Sequence, residues 1–407
     1  MNAPRPLEGF RVIDLTSVLM GPAATQIIAD YGADVIKVES PEGDIMRHAG
    51  HMRHPGMGHV FLHANRNKRS LALDLKKPGG REALLELIGA SDLFIHNIRP
   101  AALARLGIDG ASLAANFTRL VCIALVGFDQ RGPNATHPAV DDVIQGASGM
   151  ASLAARQSGG DPAYVPMVIV DRLCAFNAAQ TALAALLLRE RTGRGQYIEI
   201  PMFETAASAV LGDHMGGETF IPATGPTGYS RLLARDRRPF RTRDGHIAVL
   251  VYTDGQWQRF FQAIGQPEVF ERDERLTTAA KRAQNYDFSY RLLTGLFMER
   301  SSHEWVELLQ GFDIPCTPLN DVESLLSDPQ LAATDFIAVV EHPTEGAIRQ
   351  MRVPARWSDA DLSVRRHAPH VGEHSVEVLR EFGFSENRIA GLEAAGSMCQ
   401  FSMAGES

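Results

Sequence analysis

The feature that most constrains the fold is the regular alternation of strand-like and helix-like segments in the first 130 residues. Short apolar segments predict strands at residues 11–15, 35–38, 93–95 and 120–126. Segments with helical periodicity predict helices at residues 21–31, 80–90 and 101–106. Strands separated by helices of this length form right-handed βαβ units, so the sequence predicts an α/β domain with a mainly parallel sheet.

The composition changes after about residue 210, where a loop rich in glycine and proline precedes a basic run at residues 231–243. A strand-like segment at 246–253 and helical segments at 256–264 and 281–298 follow, which predicts a second, smaller α/β unit. The same loop would also suit a lid over a single domain, so both arrangements stay open.

The bulk composition excludes several classes of protein. The 407-residue chain has a net charge of −8, which gives no surplus of positive charge for nucleic acid or an anionic membrane. Its four cysteines form no C-x-x-C pair, and its start has no apolar signal segment. Because no window approaches ~18 uninterrupted apolar residues, we expect a cytoplasmic protein.

The sequence offers no familiar metal or nucleotide motif. Four histidines lie close together between residues 48 and 59, but H-E-x-x-H is absent, so we expect no metal. Neither G-x-G-x-x-G nor a Walker A loop occurs, which weakens a dinucleotide or ATP site. Residues 146–149 only partly match G-x-S-x-G and are more typical of a packed helix.

Asp171 follows an apolar run at residues 168–170 and begins a helical pattern that Gly193 and Gly195 close. A carboxylate at or near the N-cap is held in its ionised form by unpaired backbone N–H groups and the helix dipole. An ionised, fixed carboxylate suits covalent catalysis. The local pattern leaves two interpretations open, an ordinary helix cap and a nucleophile.

Two basic segments are candidate phosphate anchors. Residues 65–69 carry three cations in five positions before a strand-like segment, and residues 97–107 place a helix start directly after a strand. Ligands of parallel sheets bind beyond the carboxyl ends of the strands. Two basic anchors on one edge of the sheet would suit a ligand with several phosphates. A solvated surface is the competing interpretation of each segment.

The chain also resembles a known family, the class III CoA-transferases, the group that includes formyl-CoA transferase, carnitine CoA-transferase and α-methylacyl-CoA racemase. Typical blocks are Tyr31-Gly-Ala-Asp-Val-Ile-Lys-Val-Glu39 and Arg191-Thr-Gly-Arg-Gly-Gln196. The full set runs in family order over nearly the whole chain: residues 6–9, 12–15, 21–22, 31–39, 67–70, 73–76, 97 with 105–107, 142–145, 148–149, 191–196, 314–316, 328–329 and 372–374.

The resemblance implies an architecture: a Rossmann-like large domain with a mainly parallel sheet, a smaller α/β domain, and a homodimer whose chains interlock. On that scheme residues 1–210 form the first part of the CoA-binding large domain. Residues 211–327 form the linker and small domain, and residues 328–407 return to the large domain.

The resemblance also implies a mechanism. The family aspartate lies at the start of the helix before the T-G-x-G-Q block, which is Asp171 here. In the family this carboxylate attacks an acyl-CoA thioester to give an acyl-aspartyl anhydride, and the CoA thiolate then forms an aspartyl-CoA thioester. CoA or acyl-CoA is therefore expected as a substrate, with no permanently bound cofactor and small carboxylic acids as partners.

Several further positions carry over by the same resemblance. The positions that match the family's CoA site are Asn67, Lys68, Arg69, Asn97, Arg105 and Leu106. Asp141 matches an acidic position near the catalytic aspartate, where it is expected to orient pantetheine or the anhydride.

The acceptor is the least constrained part of the hypothesis. Leu19 stands where formyl-CoA transferase has a glutamine, and the mobile polyglycine loop of that enzyme is missing, which argues against formate and oxalate. Tyr229, Arg231 and Arg235 lie at the entry to the small domain and favour a short dicarboxylic acid of the succinate or mesaconate type. A solvated basic turn is the alternative.

Two other functions compete with CoA transfer. A racemase of this family pairs the aspartate with a histidine before residues 142–145, and His137 is nearby but about three positions early. A non-catalytic acyl-CoA-binding protein would use Asp171 only as a helix cap.

Overall fold

The computed structural model describes residues 3–401. Its strands are β1 (Arg11–Leu15), β2 (Asp34–Glu39), β3 (Lys68–Leu73), β4 (Leu93–His96), β5 (Val121–Val126), β6 (Tyr197–Pro201), β7 (Phe240–Arg241), β8 (His246–Val249), β9 (Cys316–Pro318), β10 (Ile337–His342), β11 (Gly346–Met351) and β12 (Met398–Cys399).

The α-helices are α1 (Met20–Asp30), α2 (His59–Ala64), α3 (Pro78–Gly89), α4 (Pro100–Arg105), α5 (Gly110–Asn116), α6 (Asp141–Ala147), α7 (Met150–Ser158), α8 (Ile169–Thr192), α9 (Met202–His214), α10 (Ser230–Leu233), α11 (Asp254–Ala263), α12 (Pro267–Arg272), α13 (Ala279–Ala283), α14 (Tyr286–Phe297), α15 (Ser302–Gly311), α16 (Val322–Leu325), α17 (Pro329–Ala333), α18 (Ser375–Glu381) and α19 (Glu386–Ala394).

A seven-stranded sheet forms the centre of the first unit, in the order β12-β3-β2-β1-β4-β5-β6. Strands β1 to β6 pair in parallel, and only β12 at the edge is antiparallel. Strands β3, β4 and β5 are buried along their whole length, as expected for a sheet covered on both faces. The mainly parallel sheet predicted from the alternating segments is confirmed.

The two faces of this sheet carry different side chains. One face holds an apolar core in which Ile13 and Phe94 of the strands pack with Leu84 of α3 and with α18 and α19. On the other face lies α1, whose Pro22 carbonyl accepts a hydrogen bond from the Lys68 ammonium group of β3 at 2.9 Å. Helix α8 packs against α1 and β5. The result is a three-layer unit with helices on both faces.

By contacts between Cα atoms the chain divides into two compact units. The first contains the described residues up to Ser148, then Val165–Ala207 and the described residues from Ala332 onward; the second contains Gly149–Tyr164 and Ser208–Leu331. The segment Gly149–Tyr164 thus belongs to the second unit, whereas the sequence boundaries assigned it to the first domain. Its local contacts explain the difference, because the Gln157 amide donates a hydrogen bond to the Arg237 carbonyl at 2.9 Å.

The second unit has its own aromatic core. Strands β7, β8 and β9 form a small antiparallel sheet, and Phe260, Phe297 and Trp305 pack beside it with almost no exposed surface. The rings of Phe297 and Trp305 are 4.8 Å apart in an edge-to-face arrangement. The Trp305 indole N–H donates to the Phe297 carbonyl at 2.9 Å, so its one polar group is satisfied.

Helix α8 is the longest in the fold, at 24 residues. It carries charged residues at both ends, including Asp171 and Arg189. Within residues 3–401, neither this helix nor any other has the length and apolarity needed to cross a bilayer.

Candidate active site

The carboxyl ends of β1, β4 and β5 lie side by side at one edge of the first unit's sheet. Strands β2 and β3 lie on one side of β1, and β4, β5 and β6 lie on the other. The connections after β1 and β4 therefore lead in opposite directions, which produces a crevice between them, as at the switch points of open α/β sheets. Asn97, directly after β4, ties these two loops together. Its side-chain amide donates to the Ser17 carbonyl at 2.8 Å and accepts from the Ser17 N–H at 3.1 Å.

A cavity of about 550 Å³ opens at this edge, large enough for a substantial small-molecule group. Arg99 and Arg105 line it together with Asn97, Met20 and His137. No acidic side chain among the described residues lines the cavity, and neither arginine forms an ion pair within residues 3–401. Arg105 Nε donates to the Ala101 carbonyl at 3.2 Å, which leaves its two terminal nitrogens and the Arg99 guanidinium available for phosphate.

Helix α4 presents the positive charge to this cavity. Pro100 begins the helix, where its missing N–H costs nothing, and Arg105 lies in the last turn. Because α4 has only six residues, the two arginine side chains rather than the helix terminus supply the positive charge. Leu106, predicted to contact CoA, does not line the cavity but packs against the apolar core below the sheet.

Asp171 lies in the first turn of α8 and is 8% exposed. The N-cap of this helix is Val168, three residues before Asp171. Asp171 therefore lies near the cap, as predicted, but is not the capping residue itself. Within residues 3–401, no recorded hydrogen bond reaches either oxygen of its carboxylate. A buried carboxylate with free oxygens is available to react with a ligand, which a capping side chain is not.

Asp141, the first residue of α6, holds Asp171 through the backbone. One Asp141 oxygen accepts the Asp171 N–H at 2.9 Å, and the other accepts the Gln145 amide at 2.7 Å. Gln145 is fully buried, and its carbonyl oxygen accepts the Val165 N–H at 2.9 Å. The network joins α6 to the segment that leads into α8 and so fixes the position of Asp171.

The pKa of Asp171 is raised to about 6, mainly by burial and secondly by the nearby Asp141 carboxylate, while Arg172 lowers it. This corrects the expectation that the helix dipole holds the carboxylate firmly ionised. Desolvation and like charge outweigh the dipole at this position. A carboxylate with a pKa near 6 is still mostly ionised at neutral pH, and it is more basic than an ordinary aspartate.

The basic segment Asn67, Lys68 and Arg69 has a structural role, in contrast to the prediction that it binds phosphate. All three residues are at most 3% exposed. The Lys68 ammonium lies 3.0 Å from Asp14, and the Asn67 amide donates to Asp30 at 2.7 Å.

Arg69 is equally occupied. Its guanidinium pairs with Asp34 at 2.6 Å, Glu381 at 2.8 Å and Glu377 at 2.9 Å. Strand pairing also aligns Lys68 with Val35, near the beginning of β2, whereas Asn97 follows the end of β4. The segment therefore lies at the amino ends of the parallel strands, whereas the cavity lies at their carboxyl ends. The positive charges of Lys68 and Arg69 are compensated by carboxylates of the fold.

The predicted substrate residues belong to two different units of the chain. Leu19 is buried at 3% exposure, and Met20 beside it lines the cavity instead. Tyr229 and Arg231 belong to the second unit, where they contact each other through a 3.3 Å hydrogen bond. Arg235 is exposed.

The structure also identifies residues that the sequence argument did not assign. Arg99 and Met20 line the cavity, and Gln145 positions Asp141 and the start of α8. A signal for Gln145 was present, because it follows Asp141 by four residues, which is one helical turn. His137 lines the cavity, and Asp171 is not among its lining residues.

Comparisons with known proteins identify the family of the chain. The family model described as CoA-transferase family III matches residues 7–375. Human succinyl-CoA:glutarate CoA-transferase is 28% identical over 98% of this chain and 91% of its own, and the Agrobacterium fabrum succinate–glutarate CoA-transferase is 30% identical over 93% and 96%.

A solved structure extends the similarity to the fold. The crystal structure of a CAIB/BAIF family protein from Brucella suis has 28% identity and a TM-score of 0.78, and the match covers 94% of this chain and all of that one. The family model covers most of the chain and the relatives cover nearly all of it. The resemblance inferred from the sequence blocks is confirmed: the chain belongs to CoA-transferase family III.

Proposed function

We propose that this family III CoA-transferase moves CoA from an acyl-CoA donor to a short carboxylic acid through covalent intermediates on Asp171. The observation that carries the proposal is the Asp171 carboxylate itself, which is buried, fixed through its backbone N–H and free of hydrogen bonds from the described residues. Its pKa of about 6 gives it more nucleophilic character than an ordinary aspartate while leaving it ionised at neutral pH.

In the first step an Asp171 oxygen attacks the thioester carbon of the donor. The carbon–sulfur bond breaks, CoA leaves as the thiolate, and a mixed anhydride remains on Asp171. The thiolate then attacks the aspartyl carbonyl carbon, which releases the donor acid as a carboxylate and forms an aspartyl-CoA thioester. The acceptor carboxylate reverses these two steps, takes the CoA as its own thioester and frees Asp171.

The cavity beside α4 is the proposed site for the phosphates of CoA. Support comes from Arg99, which precedes α4, and Arg105, in its last turn; both are exposed and neither forms an ion pair with another described residue. Arginine binds phosphate oxygens bidentately, so two such residues suit a ligand with several phosphates. In this proposal CoA is a substrate that binds and leaves at the carboxyl ends of the strands, where the cavity opens.

The proposed acid is a short dicarboxylate. Support comes from the relatives, two of which are named as CoA-transferases of succinate and glutarate. We further propose an interlocked homodimer in the cytoplasm. Residues 1–210 and 328–407 would form the large domain, except for Gly149–Tyr164, which would join residues 211–327 in the small one. The free state of all four cysteines supports a reducing compartment.

The test is to trap the intermediate. Full-length protein is incubated with succinyl-CoA and other acyl-CoAs, treated with hydroxylamine and analysed by intact-mass and peptide mass spectrometry. Hydroxylamine converts an anhydride or thioester on Asp171 to a stable hydroxamate, so we expect a modified peptide that contains Asp171. Asp171→Ala should give none, whereas Asp142→Ala, an exposed neighbour of Asp141, should give the adduct.

An adduct that persists in Asp171→Ala would contradict the proposed nucleophile. Absence of any adduct together with exchange of the substrate α-proton in deuterated water would favour racemisation instead.

A further inference from the structure

The second unit contains a cavity of about 480 Å³ that none of the chemistry above uses. It is formed by residues of that unit alone, at the end of β8, the start of α11 and one face of α14. Its walls are largely apolar, with Val249, Val251, Trp257 and Leu293 among them. Its size suits a compact organic molecule.

Arg231 is the unpaired cation of this cavity. Its Nε donates to the Tyr229 hydroxyl at 3.3 Å, and its guanidinium lies 5.3 Å and 5.4 Å from the ring centres of Tyr229 and Tyr252. It forms no ion pair with any carboxylate of the described residues. The other arginine of the cavity, Arg282, pairs with Asp254 at 2.5 Å and is therefore neutralised.

Phenol groups surround the Arg231 guanidinium. Tyr252, Tyr286 and Tyr290 line the same cavity. The hydrogen bond from Arg231 lowers the pKa of Tyr229, and burial followed by the neighbouring Tyr229 raises the pKa of Tyr286. Hydroxyl donors around a guanidinium form a set of hydrogen-bond donors that suits a carboxylate.

The backbone around this group is already fixed before a ligand binds. The Tyr229 N–H donates to His214 Nδ1 at 3.2 Å, and the Gly228 N–H donates to the His214 carbonyl at 2.8 Å. The Tyr290 ring stacks on Phe240 in the core of the unit. A preorganised donor set loses little conformational entropy on binding.

We propose that this cavity binds the carboxylate of a short carboxylic acid at Arg231, with the carbon chain of the acid against Val249, Val251 and Trp257. One free cation in an apolar cavity matches a single carboxylate, whereas a polyphosphate would require several cations. The inference deepens the proposed function and rests on it for the statement that the acid is a substrate of CoA transfer. The carboxylate belongs either to the free acid or to the distal end of a dicarboxylyl-CoA.

The test is isothermal titration of full-length protein with glutarate, with uncharged glutaramide as the comparison ligand. Removing a charge-assisted hydrogen bond should weaken binding about tenfold or more in Arg231→Gln. Tyr290→Phe keeps the ring packing and should weaken it severalfold, whereas the exposed Arg272→Gln should bind as wild type. Asp171→Ala should also bind glutarate normally, which separates this inference from the identity of the nucleophile.

Wild-type affinity in Arg231→Gln, or equal binding of glutaramide, would overturn the proposal. If Arg231→Gln does weaken the binding of glutarate, the steady-state kinetics of this variant distinguish the two sources of the carboxylate. A raised KM for the free acid alone assigns the cavity to the acceptor, and a raised KM for succinyl-CoA alone assigns it to the distal carboxylate of the donor.

Discussion

At the residue scale, Asp141 and Asp171 are two neighbouring acids with different roles. Asp141 accepts hydrogen bonds at both oxygens, from the Asp171 N–H and the Gln145 amide, which satisfies its charge. Asp171 accepts none from the described residues, and its pKa is raised. Unequal hydrogen bonding of neighbouring acids is how one is kept as a fixed anion while the other remains reactive.

The pH dependence of activity tests this assignment. Because Asp171 must be ionised to attack, kcat/KM should fall on the acid side with an apparent pKa of about 6. Asp141→Asn removes a charge that raises the pKa of Asp171, so its acid limb should move to lower pH. Burial, the larger cause, remains in that variant, so the limb should stay above the ordinary aspartate value of 3.8.

The matched control for the pH profile is Asp142→Asn, an exposed change one residue away that should leave the limb in place. An acid limb in Asp141→Asn that stays put, or that moves to higher pH, would contradict the role of Asp141.

At the scale of elements, β3 shows how one segment supports two interpretations. Asn67, Lys68 and Arg69 look like a phosphate loop in the sequence, but β3 lies inside the sheet and its first residues are covered by other elements. The Asp14 carboxylate compensates Lys68, and both side chains are fully buried. Lys68 binds the Pro22 carbonyl of α1 on one face of the sheet, whereas Arg69 pairs with Glu377 and Glu381 of α18 on the other.

Breaking this buried pair should cost stability rather than CoA affinity. Lys68→Met leaves the Asp14 charge without its closest cation, and removing one partner of a buried pair costs about 3–5 kcal/mol. We expect a lower midpoint in urea unfolding, with the KM for acyl-CoA unchanged in any folded fraction. The exposed Lys76→Met should change the unfolding free energy by no more than about 0.5 kcal/mol.

Wild-type stability of Lys68→Met combined with a raised KM for acyl-CoA would restore the phosphate-loop interpretation.

At the scale of the whole molecule, the chain folds as two units, each with its own core. The first unit is built from segments far apart in sequence, because α18, α19 and β12 add to the sheet and core that begin at β1. The second carries an aromatic core and the Arg231 cavity. The proposed CoA site and the proposed acid cavity are thus built on separate hydrophobic cores.

The proposed dimer is tested by sedimentation equilibrium. We expect a species of twice the 44.4 kDa chain mass, without dissociation on dilution, because interlocked chains cannot separate without unfolding. A monomer at any protein concentration at which the enzyme is active would contradict the interlocked arrangement.

The sequence alone determined the parallel sheet, the family and the position of Asp171 at the start of a long helix. These properties depend on local periodicity and on residues close together in the chain, such as the apolar run at 168–170. Local periodicity predicts the boundaries of helices less well than their existence. Residues 281–298 were predicted as one helix, but the structure has two helices, α13 and α14, and Asn285 is the N-cap of α14.

Only the tertiary structure decided which charges are free. Lys68, Arg69, Arg105 and Arg231 all lie in basic segments of the sequence, but Asp14 and Asp34, which pair with the first two, come from elsewhere in the chain. The raised pKa of Asp171 likewise depends on burial and on Asp141, thirty residues away. Electrostatic free energy depends on distance and desolvation in space, and neither quantity is present in a linear sequence.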